Sequence, residues 1–170
     1  MRAAFVCIVA FLAGSVLPVS DARAQFYDPV QLKKVEVVEV EIGDSVRDGC
    51  LPRAAVLKTE AELILGRSGV QVGVGFNIHT LDIKAAGFEL TSSGKIPTGT
   101  CVATLHSSLW RWEVLMDHSN GLALAFREII VTVGDKDGFQ NQLRDEVNEA
   151  VTELAYEILK ARANAPSKAQ

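Results

Sequence analysis

The chain has 170 residues, a formal net charge of −4, 48 % hydrophobic and 6 % aromatic content, and three cysteines. That length suits one domain with a sizeable core. The mildly acidic balance supplies none of the basic stripes or patches that bind nucleic acid.

Residues 1–24 read MRAAFVCIVAFLAGSVLPVSDARA, with Arg2 as a positive start, an apolar run over residues 3–19, and Ala22-Arg23-Ala24 before Gln25. A charged start, an apolar stretch and a small-x-small site predict a cleaved secretory signal peptide. The competing reading is an uncleaved membrane anchor, since the run approaches spanning length. Gly14, Ser15 and Pro18 interrupt it, and the Ala-x-Ala site follows at once. Cys7 lies deep in the apolar run, outside a lipoprotein context, and leaves with the leader. What remains is one α+β domain over residues 25–161 and a fraying tail over 162–170, with 15 basic against 20 acidic residues, net −5. No later segment is apolar enough to span a bilayer, so the mature chain is expected in the periplasm.

Export leaves Cys50 and Cys101 in an oxidising compartment, where an even pair is most simply a disulfide. Free buried thiols, a redox dithiol or a metal site compete with it. The short C-x-x-C spacing that the last two normally need does not occur.

KVEVVEVEI, residues 34–42, alternates as a strand with a phase slip at Val37-Val38, and Gly43-Asp44-Ser45 ends it. Over residues 51–67, Ala54, Leu57, Ala61 and Ile64/Leu65 recur at helical spacing, with Pro52 in the first turn and Gly66 and Gly69 as stops. Val70, Val72, Val74, Phe76 and Ile78 alternate strictly, the cleanest strand pattern in the chain. Leu81, Ile83 and Ala85 take the opposite parity, which places a turn or bulge at His79-Thr80. Residues 88–100 pass from a short apolar piece into a loop rich in Ser, Thr, Gly and Pro. Residues 101–116 and 122–133 read as a hairpin around DHSNG, with a bulge at Arg127-Glu128. After GDKDG, Leu143, Val147, Ala150/Val151, Leu154 and Ile158 line one face of a helix over 139–161, with Asp135 or Asp137 as its N-cap. The order strand, helix, strands, helix predicts an α+β fold: a mostly antiparallel sheet with two helices packed on one face.

The exported leader, this element order, Cys50/Cys101 and the Trp110-Arg111-Trp112 stretch together resemble small periplasmic α/β modules of bacterial envelope proteins. The N-terminal domain of TolB, LpoB and the periplasmic part of CsgG are of this kind. The resemblance covers most of residues 34–161 and implies a part that binds proteins or helps assemble envelope complexes. Unlike the lipoproteins in that group, this chain has no lipidated cysteine.

The glycines of GVQVGVGF alternate within a strand pattern and precede no helix, so a phosphate cradle does not fit. His79, His106 and His118 have no metal-ligand spacing, and His106 beside Ser107 and Ser108 lacks a nucleophile elbow. Asp44/Asp48 and Asp135/Asp137 are too few for a calcium loop and suit caps better. No catalytic residue, metal site or cofactor is therefore assigned. Trp110 and Trp112 share one strand face, either packed beneath a helix or exposed for recognition. The sequence thus favours a noncatalytic periplasmic module that binds an envelope protein. The alternatives are a small-ligand protein with a pocket between helices and sheet lined by Trp110, Trp112 or Phe76, and, last, a hydrolase built on His106.

Overall fold

The computed structural model describes residues 22–75, 78–93, 95–114 and 120–164. The apolar run of the leader, Cys7, Phe76, His118 and the last six residues lie outside the described residues. In chain order the elements are β1 (Ala22–Tyr27), α1 (Pro29–Leu32), β2 (Val37–Val46), α2 (Ala55–Arg67), β3 (Gln71–Val72), β4 (His79–Thr91), β5 (Pro97–Val114), β6 (Asn120–Asp135) and α3 (Lys136–Ala163). The strands form one sheet in the order β1-β6-β5-β4-β2-β3.

The fold is α+β, but the sheet is mixed rather than mostly antiparallel, and the element order differs from that expected. β1, β6, β5 and β4 pair antiparallel, whereas β4–β2 and β2–β3 are parallel. The cause is α2. A helix between two strands of one sheet carries the chain back to its starting end, so β2 and β4 must run the same way. A first strand and a short helix precede β2 as well. Asp28 caps α1 by accepting from the amides of Val30 and Gln31, and Pro29 occupies the first turn.

All three described helices lie on one face, α2 over β2 and β3, α3 over β5 and β6, with α1 and α2 both against α3. The buried row of each strand meets them: Val38 and Val40, Leu81, Ile83 and Ala85, Cys101, Ala103, Leu105 and Leu109, Phe126 and Ile130. α3 answers with Phe139, Leu143, Val147, Ala150, Val151, Leu154, Ala155 and Ile158, all buried. α2 starts at Ala55, later than its periodicity indicated, and Pro52 lies in the preceding turns. It ends in a Schellman motif: Gly69 (φ +79°) donates to Gly66, and Val70 donates to Leu65.

Several strand boundaries move. Val35 is buried but precedes β2, so the slip at Val37-Val38 is a strand start, and pairing continues through Gly43 to Val46. Among its described residues the cleanest alternation in the sequence yields only Gln71–Val72, paired with Val37 and Val38 at the sheet edge. Val74 is 83 % exposed; alternation without a partner strand makes no sheet. β4 begins at His79, where a turn was expected, and β4 and β5 extend the hairpin arms into the loop region. The bulge in the second hairpin falls at Ala125, not at Arg127-Glu128: Leu109 pairs Phe126 and Trp110 pairs Leu124. That one extra residue turns Phe126, Glu128 and Ile130 to the helices and leaves Ile129, Val131 and Val133 on the other face.

Cys50 and Cys101 are bonded, with Cα atoms 6.0 Å apart and both side chains fully buried. The bond ties the turn before α2 to the helix-facing row of β5. Its closed loop, 51 residues apart in sequence, is worth roughly 4 kcal/mol in the chain-entropy picture. Replacing both cysteines by serine should lower the urea-unfolding free energy by about 2–5 kcal/mol, and an unchanged midpoint would contradict it. Gly87→Ala should cost more than an ordinary strand substitution, because the new methyl would collide with the Val102 carbonyl oxygen and with Ala103 on β5. Backbone cannot yield as a flexible side chain can. A melting temperature within 1–2 °C of wild type, about the precision of such a comparison, would refute that clash.

Candidate functional site

Because the helices occupy one face, no described element covers the sheet's other face, and its composition follows from the registers. Trp110 and Trp112 project onto it beside Leu124 and Leu122 of β6, the two indoles meeting edge to face at 6.1 Å between centroids. Trp112 and Leu122 are 60 % and 55 % exposed. The tryptophans therefore neither pack beneath a helix nor line a pocket between helices and sheet. At the opposite end Phe88, Val102, Val133 and Val131 form a second apolar patch. Between the patches runs a polar band of Asp82, Lys84, His106, Ser108 and Arg127.

That band contains His106 and Ser108, two of the residues on which the hydrolase alternative rests. His106 Nε2 accepts from Arg127 Nε at 3.0 Å, and Lys84 pairs with Asp82. Burial, then the charges of Arg127 and Lys84, push the His106 imidazole below its usual range. Its accepting nitrogen thus faces a guanidinium, and among the described residues no serine hydroxyl bonds to it. Ser107 points the other way, into the core.

His79 sits on the helix side, only 2 % exposed, and its Nε2 has no hydrogen-bond partner among the described residues. Beside it, Glu113 accepts from Arg111 Nε at 2.9 Å and Lys34 Nζ at 3.1 Å. Burial first, then the Arg111 and Lys34 charges, push His79 down to about 4, with Glu113 opposing.

A second polar core site was not foreseen. Glu128 is fully buried on β6; its Oε1 accepts from Gln25 Nε2 at 2.6 Å and lies 3.3 Å from Arg23 Nε. Burial raises its pKa against the help of Gln25 and Arg23. Oε2 has no partner among the described residues, and neither does the buried Tyr27 hydroxyl. Arg23 also reaches Glu146 and Glu149 on α3. The acid pairs noted in the sequence are structural: Asp44 accepts from the Val46 amide and Asp48 from the Glu89 amide. Asp135 stands at the N-cap of α3 without a side-chain capping bond. Glu89 in turn accepts from Lys136 at 2.7 Å and from the Gly99 amide at 2.9 Å, and these bonds, Lys136 first, lower its pKa. Among the described residues no group of His, Cys, Asp and Glu is arranged to hold a metal ion, and no helix is long and apolar enough to cross a membrane.

No family model matches the chain, and no curated protein matches it in sequence. Solved structures do. PelC from Paraburkholderia phytofirmans, solved as a dodecamer, aligns over 79 % of this chain and 97 % of its own at 12 % identity, with a TM-score of 0.53. A minor lipoprotein from Acinetobacter baumannii aligns over 77 % and 95 % at 13 % identity, with a TM-score of 0.33. Rare lipoprotein B from Shewanella oneidensis aligns over 74 % and 93 % at 11 %, with a TM-score of 0.31. The PelC likeness establishes a shared fold; the other two are too distant to argue from.

His79 yields a pH prediction. Its folded pKa, about 4, lies below the ordinary 6.5, so the unfolded chain binds the proton first as pH falls. The contribution is fully present above pH 6.5 and is lost between 6.5 and 4, about 3 kcal/mol in all. His79→Gln should remove that slope relative to wild type in urea titrations at pH 7, 6, 5 and 4; parallel curves would show that His79 does not titrate in this window.

Proposed function

We propose that the chain is a noncatalytic module of the bacterial envelope, exported to the periplasm, that binds a protein partner through the helix-free face of its sheet around Trp112. The observation that supports this most directly is the apolar patch of Trp112, Trp110, Leu122 and Leu124 on an uncovered face. Tryptophan is enriched where binding energy concentrates, and a wet sheet face that bound nothing would be expected to be polar. The fold shared with PelC makes a second copy of this chain one of the partners to test.

The test is site-specific photo-crosslinking next to Trp112 in cells that export the tagged protein, followed by affinity measurement with the captured partner. Trp112→Ala should weaken binding at least about 30-fold, the scale of a hot-spot residue, while the melting temperature stays within about 2 °C of wild type. Undiminished binding by a folded Trp112→Ala protein would remove the proposed face from consideration.

A further inference from the structure

The corner formed by β1, β6 and α3 bears on where the exported chain begins. All six residues of β1 pair with β6, from Ala22 opposite Val131 to Tyr27 opposite Phe126. Arg23, on the helix side of that strand, sits among three carboxylates. Its Nε is 3.3 Å from Glu128, its Nη2 is 3.0 Å from Glu146 and its Nη1 is 2.8 Å from Glu149. Gln25 bridges Glu128 and Glu153 with its amide, at 2.6 and 2.9 Å.

Cleavage after Ala24 would remove three of the six strand pairings together with the guanidinium. It would leave the uncharged Gln25 side chain between Glu128 and Glu153, with a new α-ammonium on the Gln25 backbone and the buried Glu128 without the Arg23 guanidinium. Loss of one partner from a buried ion pair is among the costlier single changes a fold can undergo. The sequence holds a second site obeying the same small-x-small rule two residues earlier, Ser20-Asp21-Ala22.

We propose that the leader is removed between Ala22 and Arg23, so that the mature chain begins at Arg23. Water hydrolyses the Ala22–Arg23 peptide bond; the carboxylate departs with the leader, and the new α-ammonium stays on Arg23. The α-ammonium adds a second positive charge at Arg23, whose guanidinium already meets Glu128, Glu146 and Glu149. This inference rests on the export reading but not on partner binding.

The experiment is export of the full chain with a C-terminal tag from a Gram-negative host, then intact mass and N-terminal sequencing of the recovered protein. The first residue should be Arg23. A chain that starts at Gln25, free or cyclised to pyroglutamate, or at any other residue, overturns the assignment while leaving export intact; an uncut chain overturns both. As an independent check, purified chains starting at Arg23 and at Gln25 should differ in melting temperature by at least about 5 °C, the longer being more stable. Arg23→Ala in the longer chain should reproduce most of that loss, which separates the guanidinium from the extra strand pairs. Equal melting of all three would overturn the physical reason for the site.

Discussion

The bond between Cys50 and Cys101 joins the two halves of the fold at the place where their construction changes. On one side the chain makes a parallel crossover, β2 through α2 to β4; on the other it makes antiparallel hairpins from β4 to β6. β4 is the seam, parallel to one neighbour and antiparallel to the other. Parallel pairing requires a long excursion whose closure entropy opposes folding until the far strand is in place. A covalent tie from the head of α2 to the start of the core row of β5 shortens that excursion directly. The same end of the molecule is reinforced by Glu89, which receives Lys136 from the start of α3 and the Gly99 amide from β5. Crossover, hairpin and final helix thus converge on one buried corner.

With that corner fixed, the helices have one face of the sheet to cover, and they leave the other. Antiparallel sheets that face water on one side usually alternate apolar-in and polar-out. Here the outer rows of β5 and β6 carry tryptophan, leucine, valine and isoleucine toward solvent, divided by a band in which each charge has a near neighbour of use to it. Monomeric soluble domains rarely keep contiguous apolar surface of this kind without a purpose.

The sequence made the helices and most of the core legible because their periodicity depends on the chain itself. Leu143, Val147, Leu154 and Ile158 repeat at a spacing that only a helix turns to one side. The strands were harder, for reasons that residues 70–78 and 122–133 illustrate. Strand alternation specifies faces but not partners: residues 70–78 alternate perfectly, yet among the described ones only Gln71 and Val72 form a strand. In residues 122–133 a bulge was legible but not its position, and a shift of one or two residues decides whether Ile129 or Ile130 is core. Glu128 was invisible for the same reason, since a carboxylate in an alternating strand is read as its wet face. The pairing directions were beyond reach, because local pattern does not record where a helix returns the chain. Of the candidate site residues, Cys50 and Cys101 are joined, and Trp110 and Trp112 share a face that the sequence could not identify as covered or open. Arg23, placed in the leader, turned out to belong to the strand.

The length of β5 has a further consequence. Among the described residues β4 accompanies it no further than Trp110, and Arg111 to Val114 pair with β6 alone. Among the described residues Trp112 therefore stands on a two-stranded ribbon. Such ribbons twist more strongly than wider sheets and are marginal on their own; here Lys34 and Arg111 steady the ribbon through Glu113. Opening of this segment costs less than opening of the three- and four-stranded interior, so its amides should be the first in the hairpin to exchange. Among the described residues Trp112 and Tyr156 are the most exposed aromatic side chains, at 60 % and 61 %, and Trp112 is carried on backbone that, among those residues, pairs with β6 and not with β4.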